Sequence, residues 1–235
     1  MRTPTWRFIG ILFLCTVLVI GQTTYTISVS AEDGQDVSGT WSNNGVTISA
    51  GLAGANIVHL ATRFTAIDTT AGLVVTLATY RLNFESSNGT ATNFHAKILA
   101  DDVDDCAALS GTHEPSAGWT DTAATLDYDP SSYPSADTYV DFTITSIIQE
   151  ILDRAGWATG NDICVALKDD TSGANTSMAF ESVDNGETDE PELVLTLTSG
   201  SRRRQAIVSF FRPYGDGIPV TRVYRTSGGY RGPRQ

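Results

Sequence analysis

The chain has 235 residues, of which 41% are hydrophobic and 18% are charged, and its formal net charge is −12. Residues 32–200 carry 26 acidic side chains against five basic ones, whereas residues 201–235 carry eight arginines and one acid. This distribution argues against nucleic-acid binding by the main body, because phosphate contacts require Lys and Arg. The apolar fraction is sufficient for a sizeable core, and a length of this order suits one large β-domain.

The first 31 residues have the three parts of an export signal. Arg2 and Arg7 precede a 14-residue apolar run at Phe8–Gly21, and Val29–Ala31 ends in small residues, as at a cleavage site. Fourteen residues are fewer than the roughly 20 that a membrane-spanning helix needs. We therefore predict a signal peptide at 1–31 and a secreted or cell-surface protein. The alternatives are an uncleaved anchor and an apolar segment that is retained in an assembly, as in a virion.

Most segments between residues 39 and 198 alternate apolar and polar side chains with a period of two, which is typical of strands. In "NIVHLATRF", Val58, Leu60, Thr62 and Phe64 share one face. Eight to nine such segments, each bounded by turn residues, predict an all-β fold. The expected architecture is a two-sheet antiparallel β-sandwich, jelly-roll-like, over residues 32–198 with one short helix.

The alternation fails between Asp101 and Asp137, which predicts a long excursion. Three aromatic side chains there lie among Asp, Ser and Thr, a mixture suited to stacking on sugars and hydrogen-bonding hydroxyls. They are the candidate ligand-binding residues: Trp119, Tyr128 and Tyr133. The alternative is that these rings cover the end of the sandwich and serve packing alone.

One helix is predicted near residues 147–155, from an apolar stripe at helical spacing in "SIIQEILDRAGW". Ser146 and Gln149 have the spacing of a capping box. Arg154 suits the negative end of the helix dipole, and Gly156 suits a left-handed stop. Trp157 is then expected to turn back onto the sandwich, so the stretch is interpreted as architecture.

This stretch also carries a resemblance to a known family. "IIQEILDRAGWATGNDICVAL" and "MAFESVDNGETDEPELVLTLT" resemble the closing half of DNRLRE-type β-sandwich domains, which are similar to carbohydrate-binding modules. The resemblance covers about residues 37–198, with Ala155 where the family often has Pro. It implies a jelly-roll domain of the kind found in exported surface proteins and phage structural proteins.

No catalytic motif is present: the sequence has no Gly-x-Ser-x-Gly, no phosphate loop and no His-Glu-x-x-His. We therefore expect a protein that is not an enzyme and needs no cofactor. Two acidic runs, "DDVDD" (101–105) and "DNGETDE" (184–190), are candidates for a structural calcium or are solvated loops, and no metal site is assigned. Once an export signal has left, Cys106 and Cys164 remain as either a disulfide or two buried thiols.

The C-terminal residues 199–235 form an Arg-rich tail in which aromatic and basic residues alternate. We expect its segment 206–211 to add a strand to the sheet edge of a neighbour and its arginines to contact the acidic domain of another copy, and the alternative is a solvated end. The residues assigned to assembly are Arg202, Arg203, Arg204, Phe210, Phe211 and Arg212. The expected function is a non-catalytic extracellular binding or assembly module whose partners are a glycan or further copies of itself. A virion structural protein with the same fold is the alternative, and nucleic acid is not an expected partner.

Overall fold

The structure is a computed structural model that describes residues 19–43, 45–186 and 189–199. The strands of this part are β1 Val19–Thr26, β2 Asp33–Val37, β3 Trp41–Ser42, β4 Thr47–Ala53, β5 Asn56–Phe64, β6 Leu73–Asn88, β7 Ala96–Ala100, β8 Leu126–Tyr128, β9 Thr138–Thr143, β10 Ile163–Asp169, β11 Thr176–Glu181 and β12 Glu192–Ser199. One α-helix, α1, spans Thr145–Leu152, and single 3-10 turns lie at Ser30–Glu32, Ala91–Asn93 and Val183–Asn185.

The strands form one continuous antiparallel sheet in the order β1-β12-β6-β11-β4-β5-β10-β7-β8. Beside this path, β9 pairs with β6, and β2 pairs with both β3 and β5. The protein is therefore all-β with one short helix, as predicted. The two predicted sheets are the two halves of this curled sheet, and the β4–β5 hairpin joins them.

The main core lies between the two halves of the sheet. The hydroxyl of Thr62, on β5, donates to the Tyr80 hydroxyl on β6 over 3.1 Å, and the rings of Phe64 and Tyr80 meet edge to face with centroids 6.0 Å apart. Both aromatic residues are fully buried. Burial of one Phe-sized side chain contributes about 1.5–3 kcal/mol, so this double layer of apolar side chains supplies most of the driving force.

Strand β5 follows the predicted alternation, whereas β6 departs from it near its start. Val75 is buried and Leu77 is 42% exposed, although a strict period of two puts both on one face. The pairing register of β6 with β12 shifts between these residues, which marks a β-bulge. Because a bulge adds one residue, the faces exchange there. Val75 thus joins Ala78 and Tyr80 in the core.

Strand β1 comes from the segment that the sequence assigns to an export signal. It pairs with β12 from Thr26↔Glu192 to Val19↔Thr198, and Ile27 directly after it is 2% exposed in the main core. In the structure the sheet therefore begins before residue 32, at β1. Residues 1–18 lie outside the described part of the chain, and so does the tail, residues 200–235.

The helix lies where it was predicted, but it does not begin with the predicted capping box. Its N-cap is Ile144, and no side chain caps it. Gln149 instead bonds to β6: its Oε1 accepts from the Val75 amide over 2.7 Å, and its Nε2 donates to the Leu73 carbonyl over 3.2 Å. The Gln149 side chain thus bonds to the backbone at the bulged start of β6 and does not form the predicted capping box.

At the end of the helix, Arg154 and Gly156 do not have the roles that the sequence predicts. The last helical residue is Leu152, and Arg154 pairs with Asp102 and Asp104 across the loop. The backbone of Gly156 does not have a positive φ, so this residue is not a left-handed stop. Trp157 is 4% exposed, and its Nε1 donates to the Thr69 carbonyl over 3.2 Å. The prediction that this ring packs back onto the sandwich is confirmed.

Candidate ligand-binding site

A second, smaller apolar cluster lies on the face of β5, β10 and β7 that points away from the main core. Its buried members are Ala61, Leu99, Cys106, Leu109, Cys164 and Ala166. Most of the cover comes from the first part of the long excursion, residues 101–122, which we call the covering loop. Its backbone bonds to the sheet, for example from Asp101 N to the Cys164 carbonyl on β10 over 3.2 Å. The cluster explains why strand residues on an outward face are buried.

A disulfide fastens the covering loop to the sheet. Cys106 lies in the loop and Cys164 on β10, with their Cα atoms 5.8 Å apart. Of the two alternatives left by the sequence, the structure has the bonded pair. A cross-link over a separation of 58 residues stabilises the fold mainly by restricting the unfolded chain, typically by about 2–4 kcal/mol.

The acidic run at the start of the covering loop does not converge on one point. Asp102 and Asp104 pair with Arg154, and Asp105 accepts from the Asp162 amide over 2.8 Å. Asp101 turns inward, with a side chain that is 0% exposed. The run therefore anchors the loop to the helix end and to β10. In the second run, Glu187 and Thr188 lie outside the described residues.

A row of polar side chains crosses the same outward face next to the small cluster. Asp36 on β2 lies opposite His59 on β5, and Lys168 on β10 lies opposite Lys97 on β7. His59 accepts from the Asp169 amide through Nδ1 over 3.0 Å, so the neutral ring carries its proton on Nε2. Burial lowers the pKa of His59, which favours this neutral form.

Two tryptophans flank this row. Trp41, on β3, lies over Gly34, where a Cβ would come within 2.6 Å of its ring. Trp119, in the covering loop, has the Lys168 ammonium 6.0 Å from its ring centroid and the His113 ring at 6.0 Å. Both rings are half-buried against the small cluster. Each therefore leaves part of an indole surface available to a ligand.

Buried polar atoms without a hydrogen bond are concentrated here. Among the described residues, seven buried side-chain oxygen or nitrogen atoms accept or donate no hydrogen bond, and four belong to this region. They are Trp41 Nε1, Trp119 Nε1, Glu114 Oε2 and Asp101 Oδ2. Glu114 and Asp101 are 1% and 2% exposed, and burial raises the pKa of both carboxyls. Such atoms are uncommon in native proteins, and each requires a partner such as an ordered water or a ligand.

Asp36, in contrast, has both carboxylate oxygens occupied. Oδ1 accepts from the Gly39 amide over 2.7 Å, and Oδ2 accepts from the Ser116 amide over 3.1 Å. The side chain thus joins β2 to the tip of the covering loop, next to Glu114. This arrangement holds the loop above the sheet and leaves Glu114 Oε2 as the neighbouring acceptor.

The structure does not bring the three predicted ligand residues together. Trp119 packs against the small cluster, whereas Tyr128 and Tyr133 pack against the main core. Tyr128 meets Phe142 edge to face at 5.0 Å, and Tyr133 stacks on Phe84 at 6.3 Å while its hydroxyl donates to the Asn88 carbonyl. For these two tyrosines the contacts are those of the packing alternative.

The sequence reasoning missed Trp41 and Glu114. Trp41 is far from the excursion in the chain, in "GTWSNNG", and Glu114 is one of 27 acids. Only the pairing of β2 with both β3 and β5 brings Trp41 to this face. The residues assigned to assembly, 202–212, lie outside the described residues. Within the described ranges, no helix has the length and apolarity to cross a bilayer.

The sequence matches no family profile, and no curated protein matches it. One solved structure with a similarity is the glycoside hydrolase domain of Endo-D from Streptococcus pneumoniae R6, at 12% identity and a TM-score of 0.27. The match covers 74% of this chain but only 21% of that one. A similarity this low carries no argument about function.

Proposed function

We propose that this chain is a non-catalytic binding module that takes a polyhydroxylated ligand, the end of a glycan, between Trp41 and Trp119. The observation that carries the proposal is the group of buried, unbonded polar atoms on one face. Two are indole donors and one is the Glu114 acceptor beside Asp36. Sugar hydroxyls both donate and accept, so they match both the indole donors and the carboxyl acceptor.

The flanking side chains support the same class of ligand. A half-buried indole offers an apolar surface for the face of a sugar ring. Beside it, Lys168, with a side chain that is 16% exposed, pairs over 2.6 Å with the exposed Asp121. The neutral Nε2–H of His59 is a further donor in the row. Few polar groups around an aromatic wall are typical of small-ligand sites.

A binding role fits better than hydrolysis. Glycoside hydrolysis requires two carboxyl groups that both act on the ligand. Asp36 has both oxygens bonded to backbone amides, and the unbonded oxygen of Asp101 lies 3.4 Å from His113, so neither carboxyl is arranged to act with Glu114 on one ligand. We therefore propose that the protein is not an enzyme, and that it belongs with the exported DNRLRE-type sandwich domains that its sequence resembles.

The test is binding of the full chain to a glycan array, followed by titration with the best glycan. Trp41→Ala, Trp119→Ala and Glu114→Gln should each weaken binding by at least about tenfold, the loss expected when one good contact is removed. Tyr139→Ala is the matched control, because this half-buried ring contacts Arg81 instead. Binding that survives all three changes, or no glycan binding at all, would reject the proposal.

Strand β1 favours a second candidate, a structural or virion protein that keeps its N-terminal segment. A segment that pairs along β12 and leads into buried Ile27 serves the folded sheet, which removal of a signal would undo. This candidate predicts that residues 19–31 remain in the mature protein and that the tail drives self-association. N-terminal sequencing of the mature chain and sedimentation with and without residues 201–235 distinguish the two candidates.

A further inference from the structure

We propose that Cys106, Cys164, His113 and Asp101 form a tetrahedral zinc site when the two cysteines are reduced. In the described residues, one group of His, Cys, Asp and Glu side chains has ligand atoms close enough to hold an ion. It comprises Cys106, His113 and Cys164, with these atoms within 4.8 Å of one another. This inference is independent of the glycan proposal.

Asp101 supplies the fourth ligand. Its side chain is 0% exposed, and Oδ2 accepts no hydrogen bond although it lies 3.4 Å from His113 Nε2. The other oxygen, Oδ1, accepts from the Thr120 amide over 2.9 Å, which fixes the carboxylate with Oδ2 toward the histidine. A bonded outer oxygen of this kind orients a metal ligand.

The distances match the edges of a zinc tetrahedron. With Zn–N and Zn–O bonds of about 2.0–2.2 Å, the nitrogen and oxygen ligands lie about 3.4 Å apart, and with a Zn–S bond of about 2.3 Å the sulfur and nitrogen lie about 3.6 Å apart. His113 Nε2 lies 3.4 Å from Asp101 Oδ2 and 3.4 Å from Cys106 Sγ. Two edges are thus already formed around one nitrogen.

The backbone holds these ligands on separate elements. Cys164 lies on β10, and the other three ligands lie in the covering loop, in which Asp101 directly follows β7. His113 exchanges two backbone hydrogen bonds with Ser110, at 3.0 and 3.1 Å. The ion would therefore attach the covering loop to the sheet at the same place as the disulfide.

The two states differ by a balanced step. A dithiol transfers two electrons and two protons to the sulfur–sulfur bond, which gives two thiols, and the dithiol itself becomes a disulfide. A phosphine supplies the two electrons and takes the oxygen of one water molecule as phosphine oxide, while the two protons of that water go to the sulfurs. Zinc binding then releases those protons, because the thiolate is the ligand form. The paired thiolates and the imidazole select zinc over calcium or magnesium, which prefer oxygen ligands. Every chain passes through the reduced state before oxidation, so the ion would hold the covering loop during that period.

The experiment uses the full chain, reduced with a phosphine and titrated with Co²⁺ as the probe for zinc. We expect one Co²⁺ per chain, with a thiolate-to-cobalt charge-transfer band and the visible bands of tetrahedral cobalt, both lost on addition of Zn²⁺. The oxidised chain should give neither band. Asp101→Asn and His113→Gln should each weaken Co²⁺ binding by more than about tenfold, whereas His95→Gln, at an exposed histidine, should not.

A reduced chain that binds no Co²⁺, or bands that persist unchanged in both ligand variants, would overturn the proposal. If reduction or a variant loosens the fold, near-ultraviolet circular dichroism provides the second measurement. Zn²⁺ must then restore the native spectrum of the reduced chain but not that of the reduced Cys106→Ser, Cys164→Ser chain. Failure to restore it also counts against the site. Glycan binding by the oxidised chain is unaffected by either result.

Discussion

The carboxylate of Asp104 lies directly against Gly156, in the space that a Cβ on this glycine would occupy. Arg154 holds it there, with its Nε donating to Asp104 Oδ1 over 2.7 Å. The glycine thus allows a close approach of the Asp104 side chain and does not serve a left-handed backbone. The helix end and the covering loop are joined through this contact.

Gly156→Ala should destabilise the protein by roughly 1–2 kcal/mol, because the added methyl displaces Asp104 from Arg154. Gly111→Ala is the matched control, since Gly111 has a negative or extended φ and open space at its Cβ, and it should change stability by less than about 0.5 kcal/mol. Chemical denaturation measures both. If Asp104→Ala does not reduce the cost of Gly156→Ala, the close-approach explanation is wrong.

Trp157→Ala should cost about 3–5 kcal/mol in the free energy of unfolding, because a large buried ring leaves a cavity. Trp157→Phe retains most of the packing and loses the bond to the Thr69 carbonyl, so a loss of about 1 kcal/mol is expected. Denaturant titrations of both variants check this order. A loss under about 1 kcal/mol for the alanine variant would contradict the burial of the ring.

The sequence predicts this fold well because its evidence is local. The period-two faces of β5 and the apolar stripe of α1 depend on neighbours in the chain, and both are present in the structure. The roles predicted for Gln149 and Arg154 at the ends of α1 are wrong, because both side chains bond to residues that are more than 45 positions away in the chain. The candidate site was only partly predictable for the same reason. The composition of the excursion indicated Trp119, whereas Trp41 reaches the site only through strand pairing.

Tyr128→Ala and Tyr133→Ala should lower the melting temperature, whereas Trp119→Ala should mainly weaken ligand binding. The two tyrosines pack on the main core, and loss of a half-buried ring there costs roughly 1–3 kcal/mol. Thermal unfolding and glycan titration of the three variants separate the roles. Loss of binding in a tyrosine variant with an unchanged melting temperature would restore that residue to the ligand site.

Stability should fall as the pH rises from about 4 to about 7. Burial, opposed by a bond from the Val183 amide, raises the pKa of Asp33 from 3.8 to about 7. Within this window the native state holds a proton that the unfolded chain has released, so the free energy of unfolding decreases with pH. A shift of this size corresponds to on the order of 4 kcal/mol. Asp33→Asn should remove most of the slope, and Asp68→Asn, at an exposed carboxylate, should not.

Removal of residues 1–31 should weaken the sheet and open β12 to a new partner. Strand β1 pairs with β12 through seven residue pairs, and Ile27 alone buries a side chain worth about 1.5–3 kcal/mol. A chain that begins at Glu32 should therefore melt below one that begins at Val19. Its exposed β12 edge presents unpaired backbone groups, which favour strand addition by another copy.

Thermal unfolding and sedimentation of chains 19–235 and 32–235 check both effects. Equal melting temperatures and equal sedimentation would mean that the sheet does not need β1, and cleavage after Ala31 would then be compatible with the fold.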